Sequence, residues 1–272
     1  MIFQAIKQGK AKQGSLTVVG TGIKLGDHLT RESLSAIKKA DKVFAVVTDS
    51  ATFHWLKSIN SNIESLQKFY DSDKDRVETY QQMVDTISKS VIDGYKTCAI
   101  FYGHPGVFVL PSHEVVEKLI NLGYDAKMLP GVSADACMYA DVGFDPATSG
   151  CQSFEATDFL LFNRKLDPTV ATVLWQVGVI AEFNGKRTSN KDKRFQIFVD
   201  ELEKYFPTSH EVVLYEAAQF GIFKSKINKV TIEELRDTKI STISTLYIPP
   251  AEKKRINHEI AQLLEVDTSR FT

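Results

Sequence analysis

The chain has 272 residues, 43% of them hydrophobic and 25% charged, with a formal net charge of −1. That length accommodates one large or two modest domains, with a core that needs no disulfide or metal staple. The near-neutral, interspersed charge excludes a nucleic-acid footprint and a basic membrane face. The three separated cysteines (Cys98, Cys137, Cys151) form no CxxC pair, and the scattered histidines argue against a metal site.

Met1 to Gly14 is polar and basic, without the apolar centre of a signal peptide, and is expected to form a short arm. Ser15 to Val19 reads as the first strand. Gly20-Thr21-Gly22-Ile23-Lys24-Leu25-Gly26-Asp27 follows as a glycine-bearing loop. Thr30 then caps a helix carrying Leu34, Ile37 and Ala40. Lys42 to Val47 is a second strand, and Ser50 to Lys57 a short helix. Strand, glycine loop and helix suggest nucleotide binding. However, the loop is GxGxxxG rather than GxGxxG, and the acidic residue of a dinucleotide site has only the late Asp49 to fill it.

An acidic run from Asp71 to Asp75 suits a helix start. From Val77, apolar residues recur at Tyr80, Val84, Ile87 and Val91, a helical stripe ending at Gly94. Arg76 and Tyr80 are four apart and so neighbours on that helix, with Tyr70 just upstream. The same residues also read as core tyrosines beside a solvated arginine.

Cys98-Ala99-Ile100-Phe101 reads as a buried parallel strand. It runs into Tyr102-Gly103-His104-Pro105-Gly106-Val107-Phe108, a Gly/Pro turn at the strand's carboxyl end, where open α/β sheets bind ligands. A helix from Ser112 to Asn121 and an edge-type strand from Tyr124 to Leu129 follow. Pro130-Gly131-Val132-Ser133-Ala134 is a second such turn. It opens a short helix and is the expected hinge between two domains, 15–130 and 131–250.

The second half alternates again. Thr172 to Val177 and Glu211 to Ala217 read as strands, and Lys191 to Tyr205 as an amphipathic helix built on Phe195, Phe198, Val199 and Leu202. Thr231 to Leu235 reads as a capped turn of helix. Ser244 to Pro250 is a last strand, whose prolines fit only an edge or an end. A terminal helix from Glu252 to Leu264 and a short tail complete 251–272. The longest apolar stretch, near Ala171 to Ala181, is too short to span a bilayer. Reduced thiols fit the cytoplasm. Strands alternating with helices throughout indicate α/β layers.

Three turns together resemble the signatures of tetrapyrrole methylases: Val19-Gly20-Thr21-Gly22 with Leu29-Thr30, Tyr102 to Phe108, and Pro130 to Ala134. The resemblance implies a two-domain αβα fold with S-adenosylmethionine between the domains. Such methylases usually carry aspartate where His104 stands and proline where Ile23 stands. The chain is more similar to the borosin branch, the peptide backbone α-N-methyltransferases. The similarity lies in Tyr70 with Arg76 and Tyr80, Tyr102 to Phe108, Phe154-Glu155-Ala156, Leu174 to Gly178, and Ile243-Ser244-Thr245 before Pro249-Pro250. By that resemblance Tyr102, His104, Val107, Phe108, Ser133, Ala134, Gln176, Tyr215, Ala217, Ser244 and Thr245 line the cofactor site. For each of these, plain packing stays open as the other reading.

An amide nitrogen is a poor nucleophile because its lone pair is delocalised into the carbonyl. Methylating it needs loss of the N–H proton and stabilisation of charge on oxygen. Tyr70 is assigned as base or orienter of a basic water, Arg76 as the cation at the oxygen, and Tyr80 as the group that holds the amide. Some borosins carry their substrate on a long C-terminal extension. Here only a charged helix and the tail Val266 to Thr272 follow Pro250, so a separate precursor peptide is the expected substrate. The resemblance also implies a homodimer, or a heterotetramer with two precursors. A tetrapyrrole C-methyltransferase and a non-catalytic binding module are the competing readings.

Overall fold

The computed structural model describes residues 13–47, 49–184 and 193–271. The expected N-terminal arm thus lies outside the described residues up to position 12. So do the last residue of the tail and the first two positions of the helix expected from Lys191. The described residues divide into two units. The first is drawn from Met1–Asp141, Glu182–Lys186 and Ala217–Lys224, the second from Val142–Ala181, Arg187–Glu216 and Ser225–Thr272. The first division in chain order falls after Asp141, and the Pro130-Gly131 turn belongs to the first unit.

The first unit runs β1 (Ser15–Gly20), α1 (Arg31–Lys39), β2 (Lys42–Val46), α2 (Ser50–Ile59), β3 (Ile63–Ser65), a 3-10 turn Leu66–Phe69, α3 (Arg76–Ile92), β4 (Lys96–Phe101), α4 (Leu110–Asn121), β5 (Asp125–Met128) and α5 (Ala134–Met138). Its five strands are parallel in the order β3-β2-β4-β1-β5. Strand β4 is central, which explains its unbroken apolar run. Ala99 and Phe101 enter a cluster with Leu16, Val18, Met83, Ile87, Val115 and Leu119. Cys98 and Ile100 enter another with Val19, Ile37, Val43 and Leu56. Helices therefore cover both faces, as a parallel sheet requires.

Local chemistry sets the helix ends. Thr30 accepts the Ser33 N–H at 3.1 Å, and Asp49 accepts that of Thr52 at 2.7 Å. Asp49, the late acidic residue of the nucleotide reading, is thus a helix cap. Asp75 caps α3 through the Val77 N–H at 2.7 Å. The apolar stripe of α3 starts later than the sequence suggests: Val77 is 67% exposed, whereas Val84, Ile87 and Val91 are buried. Position 77 lies in the first turn of the helix.

The second unit runs α6 (Pro146–Ser149), β6 (Cys151–Glu155), α7 (Ala156–Leu161), β7 (Ala171–Trp175), α8 (Lys193–Leu202), β8 (Glu211–Glu216), β9 (Lys226–Thr231), a 3-10 turn Glu233–Arg236, β10 (Thr245–Ile248) and α9 (His258–Leu263). Its sheet is mixed, in the order β6-β7-β10-β8-β9. Only β6 and β7 pair in parallel. Phe159, Phe195, Phe198, Val199 and Leu202 pack with Leu174, Leu214 and Leu246, so α8 buries the face expected of it.

Strand β10 lies inside the sheet, and Pro249 and Pro250 are tolerated because they follow its last residue. The terminal helix is shorter than expected. The N–H groups of Ala251 and Glu252 donate to Pro168 O, which draws that stretch away from helix. Asn257 then caps α9 by accepting the Ile260 N–H at 3.0 Å. Thr231 and Glu234 exchange side chain-to-backbone bonds, a reciprocal capping at the turn that the sequence marked as capped. No helix among the described residues is long and apolar enough to cross a membrane.

The exposure pattern of α3 makes a direct test. Ile87→Ala should lower the unfolding free energy by about 2–5 kcal/mol, and Val77→Ala should change it by less than about 0.5 kcal/mol. Urea titration of the two variants checks this, and equal losses would mean that α3 is rotated.

Candidate active site

The glycine loop after β1 and the Gly/Pro turn after β4 meet backbone to backbone. Gly22 N–H donates to Gly103 O at 3.2 Å and Gly103 N–H to Gly22 O at 3.1 Å. A Cβ added at Gly20 would lie 2.0 Å from Gly103 O, and one at Gly22 would lie 2.2 Å from the His28 Cβ. The third turn arrives at the same place, since a Cβ at Gly131 would sit 3.2 Å from Gly103 O and 3.4 Å from the His104 Cα. Gly103 itself has φ +72°. Three segments far apart in sequence thus converge where side chains do not fit.

Around that point stand most of the expected cofactor residues of the first unit. His104 Nδ1 accepts the Gly106 N–H at 2.9 Å, so the ring proton lies on Nε2. His113 Nε2 and Gly106 O are 3.0 Å apart. Ser112 donates to Pro105 O and fastens the turn to α4. Val107 and Phe108 are 37% and 51% exposed. Phe108 has φ +56°, a left-handed conformation that costs a non-glycine residue about 1–2 kcal/mol. Strained backbone of this kind concentrates at functional sites.

Tyr102 is half-buried, and burial raises its phenol pKa, opposed by the hydrogen bond from Gln219. Gln219 Nε2 lies 3.5 Å from the Tyr102 hydroxyl, and its backbone O accepts the Leu25 N–H at 2.9 Å. The 217–224 segment, with Ala217, is thereby tied to Tyr102 and the glycine loop. Ser133 and Ala134 are half-buried at the start of α5. The Ser133 hydroxyl donates to Asp135, which leaves its backbone for any ligand.

Tyr70, Arg76 and Tyr80 are all half-buried. Both tyrosines pack on the α3 side of the first-unit core. Thr79, 1% exposed, donates to Phe69 O at 3.3 Å and holds the stretch before Tyr70 against α3. Arg76 is the first residue of α3, where a cation opposes the helix dipole. Its N–H donates to Phe183 O at 3.2 Å, and its Nη2 to Asn184 O at 3.2 Å. Asp75 and Asn184 form an antiparallel bridge.

In the second unit Gln176 follows β7 with φ +60°, strained like Phe108. Tyr215 and Thr245 face each other across β8 and β10. Tyr215, Ser244 and Thr245 are 1%, 2% and 5% exposed, so their side chains are packed. The Ser244 hydroxyl donates to Glu216 at 2.7 Å. Burial pushes the Glu216 pKa up, but bonds from Lys226, Ser241 and Ser244 outweigh it and hold the carboxyl below its ordinary value. Among the described residues no group of three or more His, Cys, Asp or Glu could hold a metal ion.

Sequence reasoning missed His28, Thr79, Asn184, Gln219, Glu216 and Ser241. Only Glu216 had a signal: a carboxylate closing the apolar run of β8.

Comparison with known proteins identifies the fold. The sequence profile of the tetrapyrrole (corrin/porphyrin) methylases matches residues 15–236. The chain belongs to this family. Uroporphyrin-III-C-methyltransferase from Thermus thermophilus has the same fold, with a TM-score of 0.63 at 16% identity over 88% of this chain and 93% of that one. A cobalt precorrin-4 methyltransferase superposes with a TM-score of 0.62 at 16% identity, over 89% of this chain and 99% of that one.

Nearer in sequence is the methyltransferase/ribosomally synthesized type I borosin cyclic peptide precursor ceuMA2 of Cerrena unicolor. It is 42% identical over 93% of this chain and 63% of its own length. The methyltransferase/ribosomally synthesized cyclic peptide omphalotin A precursor ophMA of Omphalotus olearius is 41% identical over 94% of this chain and 62% of its own. The chain spans about six-tenths of the length of these curated relatives. The corresponding type I borosin precursor cmaMA of Coprinopsis marcescibilis is 39% identical over 95% of this chain and 68% of its own length.

The departures from the usual methylase pattern have local explanations. His104 Nδ1 takes the N–H two residues on, the bond an aspartate at that place would accept. Ile23 is buried, 3.5 Å from where a Gly103 Cβ would stand, so an apolar side chain packs where the family usually has proline.

Two tests address the glycine convergence. Gly20→Ala should destabilise by about 1–3 kcal/mol through backbone displacement, beyond the loss in Gly123→Ala, which has open space and only a left-handed φ of +83°. Thermal unfolding separates the two. His28 Nδ1 accepts the Lys24 N–H at 3.1 Å, and burial, with the Lys24 charge second, lowers its pKa. The unfolded chain therefore takes up this proton first. The stability from neutral His28 is full above about pH 6.5 and declines as pH falls towards the lowered folded value. Between about pH 7 and 5 the unfolding free energy should fall more steeply in the wild type than in His28→Gln; parallel profiles would remove His28 from the acid sensitivity.

Proposed function

We propose that the protein is an S-adenosylmethionine-dependent methyltransferase acting on backbone amide nitrogens of a precursor peptide. The enzyme works as a homodimer. The reading is carried by the 42% identity, over 93% of this chain, to a protein named methyltransferase and borosin cyclic peptide precursor.

The residues present fit the cofactor. Close packing at Gly20 and Gly22 brings the loops after β1 and β4 together, at the strand carboxyl ends where open α/β sheets take ligands. The exposed, strained Phe108 offers an aromatic surface there, and the Tyr102 hydroxyl is held by Gln219. Tyr102, His104, Val107, Phe108, Ser133, Ala134, Ala217, Gln176, Tyr215, Ser244 and Thr245 are the residues that would hold the cofactor. Of these, His104 and Ser133 act through backbone, because their side chains are spent locally. When bound, the cofactor supplies a methyl group already activated by its sulfonium.

What the chain must add is an amide nitrogen with its proton removed. Tyr70, as its phenolate or through a basic water that it orients, takes that proton. Arg76 stabilises the negative charge that moves onto the amide oxygen. Its bond to Asn184 O uses one of five guanidinium donors, and further donors serve the substrate. Placing this cation at the first residue of α3 runs against the helix dipole by about 0.3–1 kcal/mol, a sacrifice that a solvated surface arginine would not explain. Tyr80, one turn along, orients the amide by a hydrogen bond.

Arg76→Ala should retain cofactor binding and lose turnover by about 10²–10³-fold, with Tyr70→Phe similarly impaired. The assay is the mass shift of a candidate precursor peptide supplied in trans with S-adenosylmethionine, run beside a corrin-type tetrapyrrole acceptor. Wild-type turnover in Arg76→Ala would remove its electrostatic role, and methylation of the tetrapyrrole instead of the peptide would reassign the substrate.

A further inference from the structure

We propose that Glu216 is a positioning residue for cofactor binding. One nearly buried carboxylate pins the Ser241–Ser244 turn and so sets the backbone that enters β10 at Thr245. The inference rests on the reading of this protein as an S-adenosylmethionine-dependent enzyme.

The side chain of Glu216 is 12% exposed. Its Oε1 accepts the hydroxyls of Ser241 and Ser244, at 2.5 and 2.7 Å. Its Oε2 accepts Lys226 Nζ at 2.7 Å. The turn also closes on itself. Ser241 N–H donates to Ser244 Oγ at 2.9 Å, and Ser244 N–H to Ser241 O at 3.2 Å. The one proton of the Ser244 hydroxyl is therefore given to Glu216 and cannot serve a ligand. On its other side the turn meets backbone, since a Cβ at Gly178 would lie 1.9 Å from Ser241 O.

Gly178 is two residues beyond the strained Gln176. Glu216 lies between Tyr215 and Ala217, and Ser244 precedes Thr245. Three of the expected cofactor segments thus depend on one turn, and that turn depends on one carboxylate. An anion suits the place because all three neighbours are donors. A glutamine would have to turn its amide NH₂ towards either the serines or the Lys226 ammonium.

The test is the affinity of the full chain for S-adenosylhomocysteine by calorimetry, with kcat and KM for S-adenosylmethionine measured on a precursor peptide. Glu216→Ala should weaken product affinity about tenfold, as expected for losing one to two net hydrogen bonds. The KM for the cofactor should rise in step, with kcat at saturation within about threefold of wild type. Hydrogen exchange at the 241–244 amides should speed up. Glu216→Gln combined with Lys226→Met should recover most of the loss, because the amide then faces no ammonium. Lys229→Met, on the same strand as Lys226, removes a surface pair with Glu211 of β8; it is the control and should bind as wild type.

If Glu216→Ala does not fold, Ser241→Ala removes one donor and should give a smaller shift in the same direction, about threefold. Unchanged affinity in these variants, an equal loss in Lys229→Met, or a fall in kcat without a change in cofactor KM would overturn the inference. A wild-type chain that binds no S-adenosylhomocysteine would instead overturn the functional reading beneath it.

Discussion

The carbonyl oxygen of Gly103 is where the first unit closes. It accepts the Gly22 N–H; Gly20 crowds against it with no space for a methyl group, and Gly131 approaches it closely. Three chain segments can approach so closely only if none carries a side chain there. The parallel sheet delivers two of them, because β1 and β4 are neighbours and end side by side at Gly20 and Phe101. Beside it the His104 ring bonds its own turn, Phe108 takes a left-handed conformation, and the 217–224 segment is fastened through Gln219.

The second unit solves its version of the problem with charge rather than with small residues. Its mixed sheet leaves the turn before β10 without ladder partners, and Glu216 supplies them by accepting two serine hydroxyls. Burial alone would push that carboxyl towards neutrality, and the donors around it keep it ionised. Glycine packing in one unit and a shielded anion in the other are two physical routes to a rigid turn backbone.

The arginine at the head of α3 belongs to a third class. Its position is electrostatically unfavourable for the helix and is held by backbone oxygens of Phe183 and Asn184. Thr79 stitches the adjoining turn to the same helix. The choice of arginine works against helix stability and is offset by the bracing from the 183–184 backbone.

The buried strands and the glycine turns were legible in the residues alone. β1, β2, β4, β7, β8 and β10 carry apolar runs that only burial explains, and Gly103 stands where the turn needs a left-handed backbone. The sequence left β3, β6 and β9 invisible, because each is an edge strand whose residues are half in water and carry no apolar run. Whether β10 was an edge or ended at its prolines, where α9 began, and which face Val77 took were decided by neighbours distant in the chain. The same holds for Gln219, Asn184 and Glu216. A single glutamine, asparagine or glutamate carries no periodicity, and its role exists only once folding brings its partners within hydrogen-bonding distance.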